Sequence, residues 1–248
     1  MKVIILAGGL GTRARPFTDY SPKPMIPIDD RPTIDHILRY ISNFPEIDQI
    51  IIVSNFENGH GNQIKSYFEG KESTLKKKIN YVEDKLEGTG GALLRTKQFL
   101  KGEEDFVVWF SDNLCAIDLR DMMRFHKENG GIGCIGVRKK KIEETGFVMV
   151  DDNGLIIEFS EKPLVELKDP ECLGIYIFNK RILDYISKEI EKKKSVNLSF
   201  DVLQKLPSHE KLFAFDIKDL PWIDVESPAR INRNIDYVRK IIKQMESV

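Results

Sequence analysis

The chain opens with Lys2-Val3-Ile4-Ile5-Leu6-Ala7-Gly8-Gly9-Leu10-Gly11-Thr12-Arg13 and continues through Ser21-Pro22-Lys23-Pro24-Met25. The apolar, β-branched run Val3–Ala7 predicts a strand buried on both faces, as in a parallel sheet. Three glycines follow, so the backbone can approach a ligand closely and point its N–H groups at it. Arg13 adds a fork of donors suited to phosphate, and Lys23 adds a compact positive charge. This opening predicts a phosphate-binding loop beyond the carboxyl end of a strand, where open α/β sheets bind ligands.

Two other nucleotide-binding motifs can be compared with this loop. A Walker A motif is excluded, because no Gly-Lys-Ser/Thr follows at the required spacing. The spacing Gly9-x-Gly11-x-x-Ala14, with Asp29 about twenty residues further on, does imitate a dinucleotide fingerprint. That fingerprint needs a helix directly after the glycines, and Pro16, Pro22 and the later prolines make a continuous helix untenable. A dehydrogenase is therefore disfavoured.

Strand-like and helical apolar patterns alternate along the first half of the chain. Short β-branched runs predict strands, and apolar residues three or four positions apart predict helices. Such alternation is typical of an α/β layered fold with a largely parallel sheet. The predicted strands are Ile50–Val53, Ile79–Val82 and Phe106–Phe110, and the predicted helices follow Pro32, include Ile64 and Phe68, and run from Ala92 to Leu100.

The second half of the chain is less regular. Its apolar runs again predict short strands, and Asn179 is expected to cap a helix that follows. A last helix is expected from about Pro228 to the end of the sequence. The predicted strands are Ile132–Val137, Phe147–Val150, Ile156–Phe159 and Ile175–Phe178.

Composition excludes several classes of partner. Among 248 residues, Lys plus Arg is 38 and Asp plus Glu is 39, so the net charge of −1 does not favour a nucleic acid or a membrane surface. An apolar run of about 18 residues is missing from the sequence, so no transmembrane helix is expected. Cys115, Cys134 and Cys172 are far apart and suit neither a disulfide framework nor a metal site. A reducing cytoplasm is the simplest expectation.

Taken together with later motifs, the opening loop resembles the nucleotide-binding loop of the sugar-phosphate nucleotidyltransferases. These motifs follow in the family's order along nearly the whole chain. They are Glu87-Gly88-Thr89-Gly90-Gly91-Ala92, Phe110-Ser111-Asp112-Asn113, Gly146, Glu161-Lys162-Pro163, Gly174 and Trp222-Ile223-Asp224-Val225.

The resemblance implies a Rossmann-like three-layer fold with a mixed, mostly parallel central sheet. It also implies one domain over residues 1–248, with a nucleotide-binding half at about 1–115 and a sugar-phosphate-binding half at about 116–248. The C-terminal β-helix domain of some members is expected to be absent. A homo-oligomer is left open.

The same resemblance assigns roles to individual residues. Arg13, Lys23 and Asp112 are expected to be catalytic, and Asp112 and Asp224 are expected to hold Mg²⁺. The expected nucleotide-binding residues are Leu6, Ala7, Gly8, Gly9, Gly11, Thr12, Arg13, Lys23, Glu83, Gly88 and Thr89. The expected sugar-phosphate-binding residues are Asp112, Gly146, Glu161, Lys162 and Gly174.

Two stretches depart from the family's pattern. Cys172-Leu173 stands where polar residues are usual before the glycine matched by Gly174. Glu226-Ser227-Pro228 stands where Gly-Thr-Pro is common, a change that is expected to leave the metal unaffected.

The implied reaction joins a nucleoside triphosphate to a sugar-1-phosphate and releases pyrophosphate. The acidic segment Glu83–Glu87 favours GTP, because a carboxylate can accept both donors of a guanine edge, and mannose-1-phosphate or a similar aldose-1-phosphate would be its partner. The main alternative is dTTP or UTP with glucose-1-phosphate. Two other classes remain open, a related glycosyltransferase and a non-catalytic nucleotide-sugar-binding subunit.

Overall fold

The computed structural model describes the chain from Met1 to Val248, apart from the side chain of Glu72. The strands are β1 (Lys2–Leu6), β2 (Pro27–Ile28), β3 (Arg31–Pro32), β4 (Gln49–Ser54), β5 (Lys78–Glu83), β6 (Asp105–Phe110), β7 (Asn113–Cys115), β8 (Gly133–Ile142), β9 (Gly146–Val150), β10 (Ile156–Glu161), β11 (Leu164–Asn179), β12 (Leu212–Asp216) and β13 (Trp222–Asp224). The helices are α1 (Thr33–Ser42), α2 (His60–Phe68), α3 (Glu72–Leu75), α4 (Gly88–Leu94), α5 (Leu119–Asn129), α6 (Ile182–Ile190), α7 (Pro228–Arg233) and α8 (Ile235–Glu246). None of the described helices is long and apolar enough to cross a membrane.

A seven-stranded sheet in the order β12-β8-β11-β6-β1-β4-β5 forms the centre of the described chain. Every neighbouring pair is parallel except the two that involve β11, which runs antiparallel to β6 and β8. Strand β1 lies between β4 and β6, with Val3 opposite both Ile50 and Val107. The predicted mixed, mostly parallel α/β sheet is confirmed, and the loop after β1 emerges between the carboxyl ends of its neighbours.

Apolar residues cover both faces of this sheet. Alternate side chains of β1 enter opposite cores, Val3 and Ile5 on one face and Ile4 and Leu6 on the other. Helices α1, α5 and α8 pack on the first face, and α4 and α6 on the second. Burying each large apolar side chain stabilises the fold by about 1.5–3 kcal/mol, which is why a parallel strand needs a continuous apolar run.

The structure differs from the predicted elements in several places. Asn179, predicted to cap a helix, is the last residue of β11, and Arg181 holds the N-cap position of α6. The predicted helix Ala92–Leu100 ends at Leu94, because the Thr96 hydroxyl donates to the Leu93 carbonyl and a 3₁₀ turn follows. The final helix is broken into α7 and α8 at Asn234, whose backbone is not helical. Strand β11 is far longer than its predicted core. Strand β12, at the edge of the sheet, was not predicted, because its side chains are only partly buried.

Strands β8 and β11 extend beyond the sheet as a two-stranded ribbon. They remain paired to Ile142 opposite Leu164, and the hairpin β9–β10 lies between these two residues in sequence. Residues 142–164 are called the arm below. Both faces of the hairpin are exposed, in contrast to the buried strands of the sheet.

Candidate active site

The glycine loop after β1 is built from tight turns. Gly11 adopts φ 61°, in the left-handed region that favours glycine, and a Cβ there would lie 2.8 Å from Thr18 Cγ2. The Thr18 hydroxyl donates to the Gly11 carbonyl at 2.9 Å and closes the turn. Short 3₁₀ turns follow at Thr12–Ala14 and Lys23–Met25. The glycines are thus followed by turns and not by the helix that a dinucleotide fingerprint requires.

Asp84, which directly follows β5, requires glycine at position 8, although β4 separates β5 from β1 in the sheet. A Cβ on Gly8 would overlap the Asp84 carboxylate. Burial raises the pKa of Asp84, although the Leu86 N–H, which donates to Asp84 Oδ1 at 2.8 Å, opposes this shift. The loop therefore has a buried carboxyl group beside its own backbone.

A cavity of about 220 Å³ opens between this loop and the end of β6. It brings together ten of the residues predicted to bind nucleotide, sugar phosphate or metal, together with Asp84, Ser111 and Glu226, which were not predicted. The ten are Leu6, Ala7, Gly8, Gly9, Gly11, Thr12, Arg13, Lys23, Thr89 and Asp112.

Lys23 and Asp112 meet inside this cavity. The Lys23 ammonium group contacts Asp112 Oδ2 in a largely buried ion pair. Asn113 Nδ2 donates to the other carboxylate oxygen, Oδ1, at 3.1 Å. The end of β6 thus holds a carboxylate in a defined orientation with a cation already beside it.

Asp224 lies next to Asp112, although the two are far apart in sequence. Strands β7 and β13 pair antiparallel with Asp224 opposite Asn113, and the Val225 N–H donates to the Asp112 carbonyl at 2.6 Å. Burial raises the pKa of the Asp224 carboxyl and the nearby Asp112 adds to the shift, while Arg230 opposes it. Asp224 Oδ1 lies 2.6 Å from Arg230 Nη1, an ion pair without hydrogen-bond geometry.

These two aspartates fit a divalent cation. The described residues contain no group of three or more His, Cys, Asp or Glu that could hold a metal. Magnesium needs only one or two carboxylates when phosphates and water complete its shell. Asp112 and Asp224 provide two such groups, and the buried Asp224 Oδ1 accepts no hydrogen bond among the described residues. A cation between them would offset the burial and the smaller effect of the Asp112 charge, which together raise the pKa of Asp224.

Glu226 links the cavity to a second ion-pair group. Its Oε1 accepts from Arg13 Nη1 at 2.5 Å, and its Oε2 accepts from Arg230 Nη1 at 3.2 Å. Burial would raise the pKa of Glu226, but the two guanidinium groups outweigh it and lower the pKa. The segment Glu226-Ser227-Pro228, which departs from the family's Gly-Thr-Pro, therefore contacts Arg13, the residue expected to bind phosphate. Only the presence of a charge where glycine is common could have indicated this from sequence.

The residues predicted to hold the sugar phosphate are divided between two places. Gly174 adopts φ 72°, and a Cβ there would lie 2.5 Å from Asn113 Nδ2, which places it beside Asp112. Gly146 and Glu161 instead face each other across the exposed hairpin of the arm.

Lys162 lines a second cavity of about 210 Å³. Arg138, Arg230 and Arg233 also line it, together with the acids Glu143 and Glu144, so cationic side chains outnumber anionic ones. Arg230 connects this cavity to the first, because its ion pairs with Asp224 and Glu226 lie between the two.

Two residues predicted to bind the nucleotide make other contacts. Both carboxylate oxygens of Glu83 accept the Phe56 N–H at 3.1 Å, so this group caps a neighbouring loop. Gly88 packs on the chain at Val196, since a Cβ on it would overlap the Val196 carbonyl. In this structure Asp84 takes the place beside the glycine loop that was predicted for Glu83.

The sequence matches a known protein family along most of this chain. The model of the nucleotidyl transferase family matches residues 2–234. The chain belongs to this family. The resemblance predicted from the motifs is thereby confirmed, and nucleotidyltransferases of this kind are typically metal-dependent.

Two curated relatives carry more specific names. The mannose-1-phosphate guanylyltransferase catalytic subunit beta of Dictyostelium discoideum is 31% identical over 231 residues, which cover 92% of this chain and 62% of that protein. The UTP–glucose-1-phosphate uridylyltransferase of Synechocystis is 34% identical over 241 residues, which cover 91% of this chain and 60% of that protein. The nucleotidyltransferase chain described here thus spans about 60% of the length of these relatives.

A solved structure shares the fold. The inositol-1-phosphate CTP transferase of T. maritima superimposes with a TM-score of 0.72 at 18% sequence identity, over 99% of this chain and 96% of that chain. The shared three-layer arrangement extends to the whole of this nucleotidyltransferase chain.

Proposed function

We propose that the chain is a Mg²⁺-dependent sugar-1-phosphate nucleotidyltransferase. The observation that carries this proposal is the meeting of Lys23, Asp112 and Asp224 at one end of a glycine loop built to approach phosphate. A nucleoside triphosphate and a sugar-1-phosphate are the substrates, and pyrophosphate is the leaving group. The free cysteines Cys115, Cys134 and Cys172 fit a reducing cytoplasm.

The reaction requires positioning and positive charge more than acid–base chemistry. The nucleophile is a phosphate monoester oxygen that is already anionic near neutral pH, because the second pKa of such a group is about 6. It attacks the α-phosphorus of the nucleotide in line with the departing pyrophosphate. This explains why a site without a histidine-centred base is sufficient.

Each charged side chain then has one task. The loop N–H groups and Arg13 bind the triphosphate, and Lys23 neutralises charge that builds up as pyrophosphate leaves. Lys162, which lines the second cavity, binds the sugar phosphate. Glu161 accepts hydrogen bonds from sugar hydroxyls, which requires the arm to lie over the bound sugar. Mg²⁺ held by Asp112 and Asp224 would supply the charge that draws the two polyanions together.

Two other functions are less well supported. A related glycosyltransferase would carry an Asp-x-Asp metal motif after β6, and Asp112-Asn113-Leu114 lacks it. A non-catalytic subunit would be expected to lose a phosphate or metal ligand, whereas Arg13, Lys23, Asp112 and Asp224 are all present.

We infer GTP and mannose-1-phosphate, or a similar aldose-1-phosphate, as the substrates. The buried carboxyl group of Asp84 lines the cavity, and a carboxylate suits the two adjacent donors of guanine. Glu83 is next to it in sequence only, because its own carboxylate accepts the Phe56 N–H. The Dictyostelium relative bears the matching name, and the Synechocystis relative bears that of the alternative. The alternative for this chain is dTTP or UTP with glucose-1-phosphate.

Pyrophosphate release with five nucleotides and two sugar phosphates tests both the reaction and the base. We expect kcat/KM for GTP to exceed that for dTTP, UTP, CTP and ATP by about tenfold or more, since two base-edge hydrogen bonds are worth about 1–3 kcal/mol. Asp84→Asn should reduce this preference, and Glu83→Gln is the matched variant for the neighbouring acid. A tenfold preference for dTTP or UTP would overturn the guanine assignment. If no pair of substrates releases pyrophosphate, the proposed nucleotidyltransferase activity is wrong.

Lys162→Ala is expected to raise the KM for the sugar phosphate about tenfold or more, with little change in the KM for the nucleotide. The reason is that Lys162 lines the second cavity and lies apart from the glycine loop. Steady-state kinetics with each substrate varied in turn separate the two effects. Lys168→Ala, on the same ribbon, is a matched control that should behave as the wild type. An unchanged sugar-phosphate KM with a raised nucleotide KM would show that Lys162 serves the other substrate.

A further inference from the structure

The arm carries an apolar surface that the rest of the structure leaves uncovered. Among the described residues, sixteen large apolar side chains are exposed, and ten of them lie between residues 142 and 164. They are Ile142, Phe147, Val148, Met149, Val150, Leu155, Ile156, Ile157, Phe159 and Leu164. Scattered exposed apolar residues are ordinary, but a concentrated patch of this kind marks an interaction surface.

The pattern of β9 is that of a buried strand. Phe147, Val148, Met149 and Val150 are consecutive, so both faces of the strand are apolar, as in the buried strands of the central sheet. All four are nevertheless 46–55% exposed. An isolated two-stranded hairpin is at best marginally stable in water and needs further packing. The sequence of the arm is therefore typical of an element whose apolar faces are packed against another surface.

The free edge of β9 lacks the usual protection against pairing. Strand β9 pairs with β10 on one side, and no strand of the described chain pairs with its other edge. Exposed edges are normally blunted by charged residues or proline, yet the five residues Gly146–Val150 include neither. The partner strand β10 differs, because Glu158 and Glu161 interrupt its apolar pattern. This asymmetry singles out β9 as the contacting edge.

We propose that the arm is the contact surface between two copies of this chain, related by a two-fold axis, with β9 at its centre. Ten side chains about half exposed, at roughly 150–200 Å² each, present on the order of 900 Å² per copy. A stable interface buries about 800 Å² on each partner, so the apolar surface of the arm has the size of one side of such an interface when both of its faces are covered. A self-complementary contact also suits an uncharged strand, since residues near a two-fold axis lie close to their own copies and like charges there would repel.

The contact also orders the element on which two proposed sugar ligands lie. Gly146 opens β9 and Glu161 closes β10, directly opposite each other. A dimer would therefore hold the sugar-binding hairpin in place without any residue being donated from one copy to the other.

Sedimentation velocity of the full chain tests the contact. The wild type is expected to sediment as a dimer of the 28.6 kDa chain at micromolar concentration. Val148→Lys, at the middle of β9, should raise the dissociation constant at least about tenfold, because it places like charges near the axis. Phe200→Lys is the matched control, since Phe200 is 70% exposed but outside the arm, and it should remain dimeric.

A second measurement does not depend on any variant. Amide hydrogen exchange of Gly146–Val150 should slow as the wild-type concentration is raised through the dissociation constant, while exchange in α8 stays constant. A monomeric wild type at tens of micromolar, a Val148→Lys variant that dimerises as tightly as the wild type, equal dissociation of both variants, or β9 exchange that does not depend on concentration would each overturn the proposal.

Discussion

Asp112→Asn is expected to lower turnover at least about a hundredfold while the protein remains folded. The substitution keeps the shape of the side chain and its contact with Asn113 but removes the negative charge that Lys23 and the proposed Mg²⁺ share. Loss of one preorganised electrostatic group commonly costs a factor of about 10²–10³ in kcat. Pyrophosphate release at saturating substrates measures the effect, and thermal denaturation verifies the fold.

A magnesium titration separates a metal role from a general loss of stability. Asp112→Asn should need a higher Mg²⁺ concentration for half-maximal turnover, and Asp224→Asn should shift it in the same direction. Asp216→Asn is a matched control, because Asp216 also pairs with a lysine, Lys139, but lies at the sheet edge. Turnover within about threefold of the wild type in a folded Asp112→Asn variant would exclude the metal assignment.

Arg13→Ala is expected to reduce kcat/KM for the nucleotide by about a hundredfold or more, with a smaller change in the KM for the sugar phosphate. Its guanidinium group lines the cavity beside the glycine loop and is 77% exposed, so its loss removes the proposed phosphate donor without disturbing the core. Arg15→Ala is the matched control, since Arg15 is 66% exposed and pairs with Asp19. Equal losses in the two variants would indicate a non-specific effect of charge.

Glu226→Gln should act in the opposite direction. The Glu226 carboxylate now occupies the donors of Arg13, so a triphosphate must compete with it. Removing its charge should lower the KM for the nucleotide a few-fold, and this gain should vanish in an Arg13→Ala background. A nucleotide KM that rises in Glu226→Gln would instead mean that the carboxylate positions Arg13 for binding.

Strand β1 and the glycine loop could be predicted from sequence for a physical reason. A strand buried on both faces needs a continuous apolar run, and β1 has one that ends directly at Gly8. A backbone that comes close to a ligand needs glycine, so the loop can be recognised from its glycines alone, without knowledge of the residues that surround it. Asp112 directly follows the apolar strand β6, and its expected role rests on the resemblance of Phe110-Ser111-Asp112-Asn113 to the family's motif.

Long-range charge contacts could not be predicted. Glu226 faces Arg13 only because β13 returns beside β7, a pairing of two short strands that leave little pattern in the sequence. Glu83 and Asp84 are adjacent acids, and sequence alone does not show which of them turns toward the cavity. The arm was predicted as two strands, but that these strands lie on the outside of the molecule depends on how far β8 and β11 extend.

The position of β11 has a consequence for how the chain assembles during synthesis. Strands β5, β4, β1 and β6 all precede Ser111, so this half of the sheet can associate before the rest has been translated. Its β6 edge then stays open until β11 emerges and places Ile175 opposite Trp109. Parallel sheets form slowly because their contacts are distant in sequence. A nascent chain is therefore most prone to aggregation between the synthesis of β6 and the synthesis of β11. This period ends when β11 pairs with the open edge of β6.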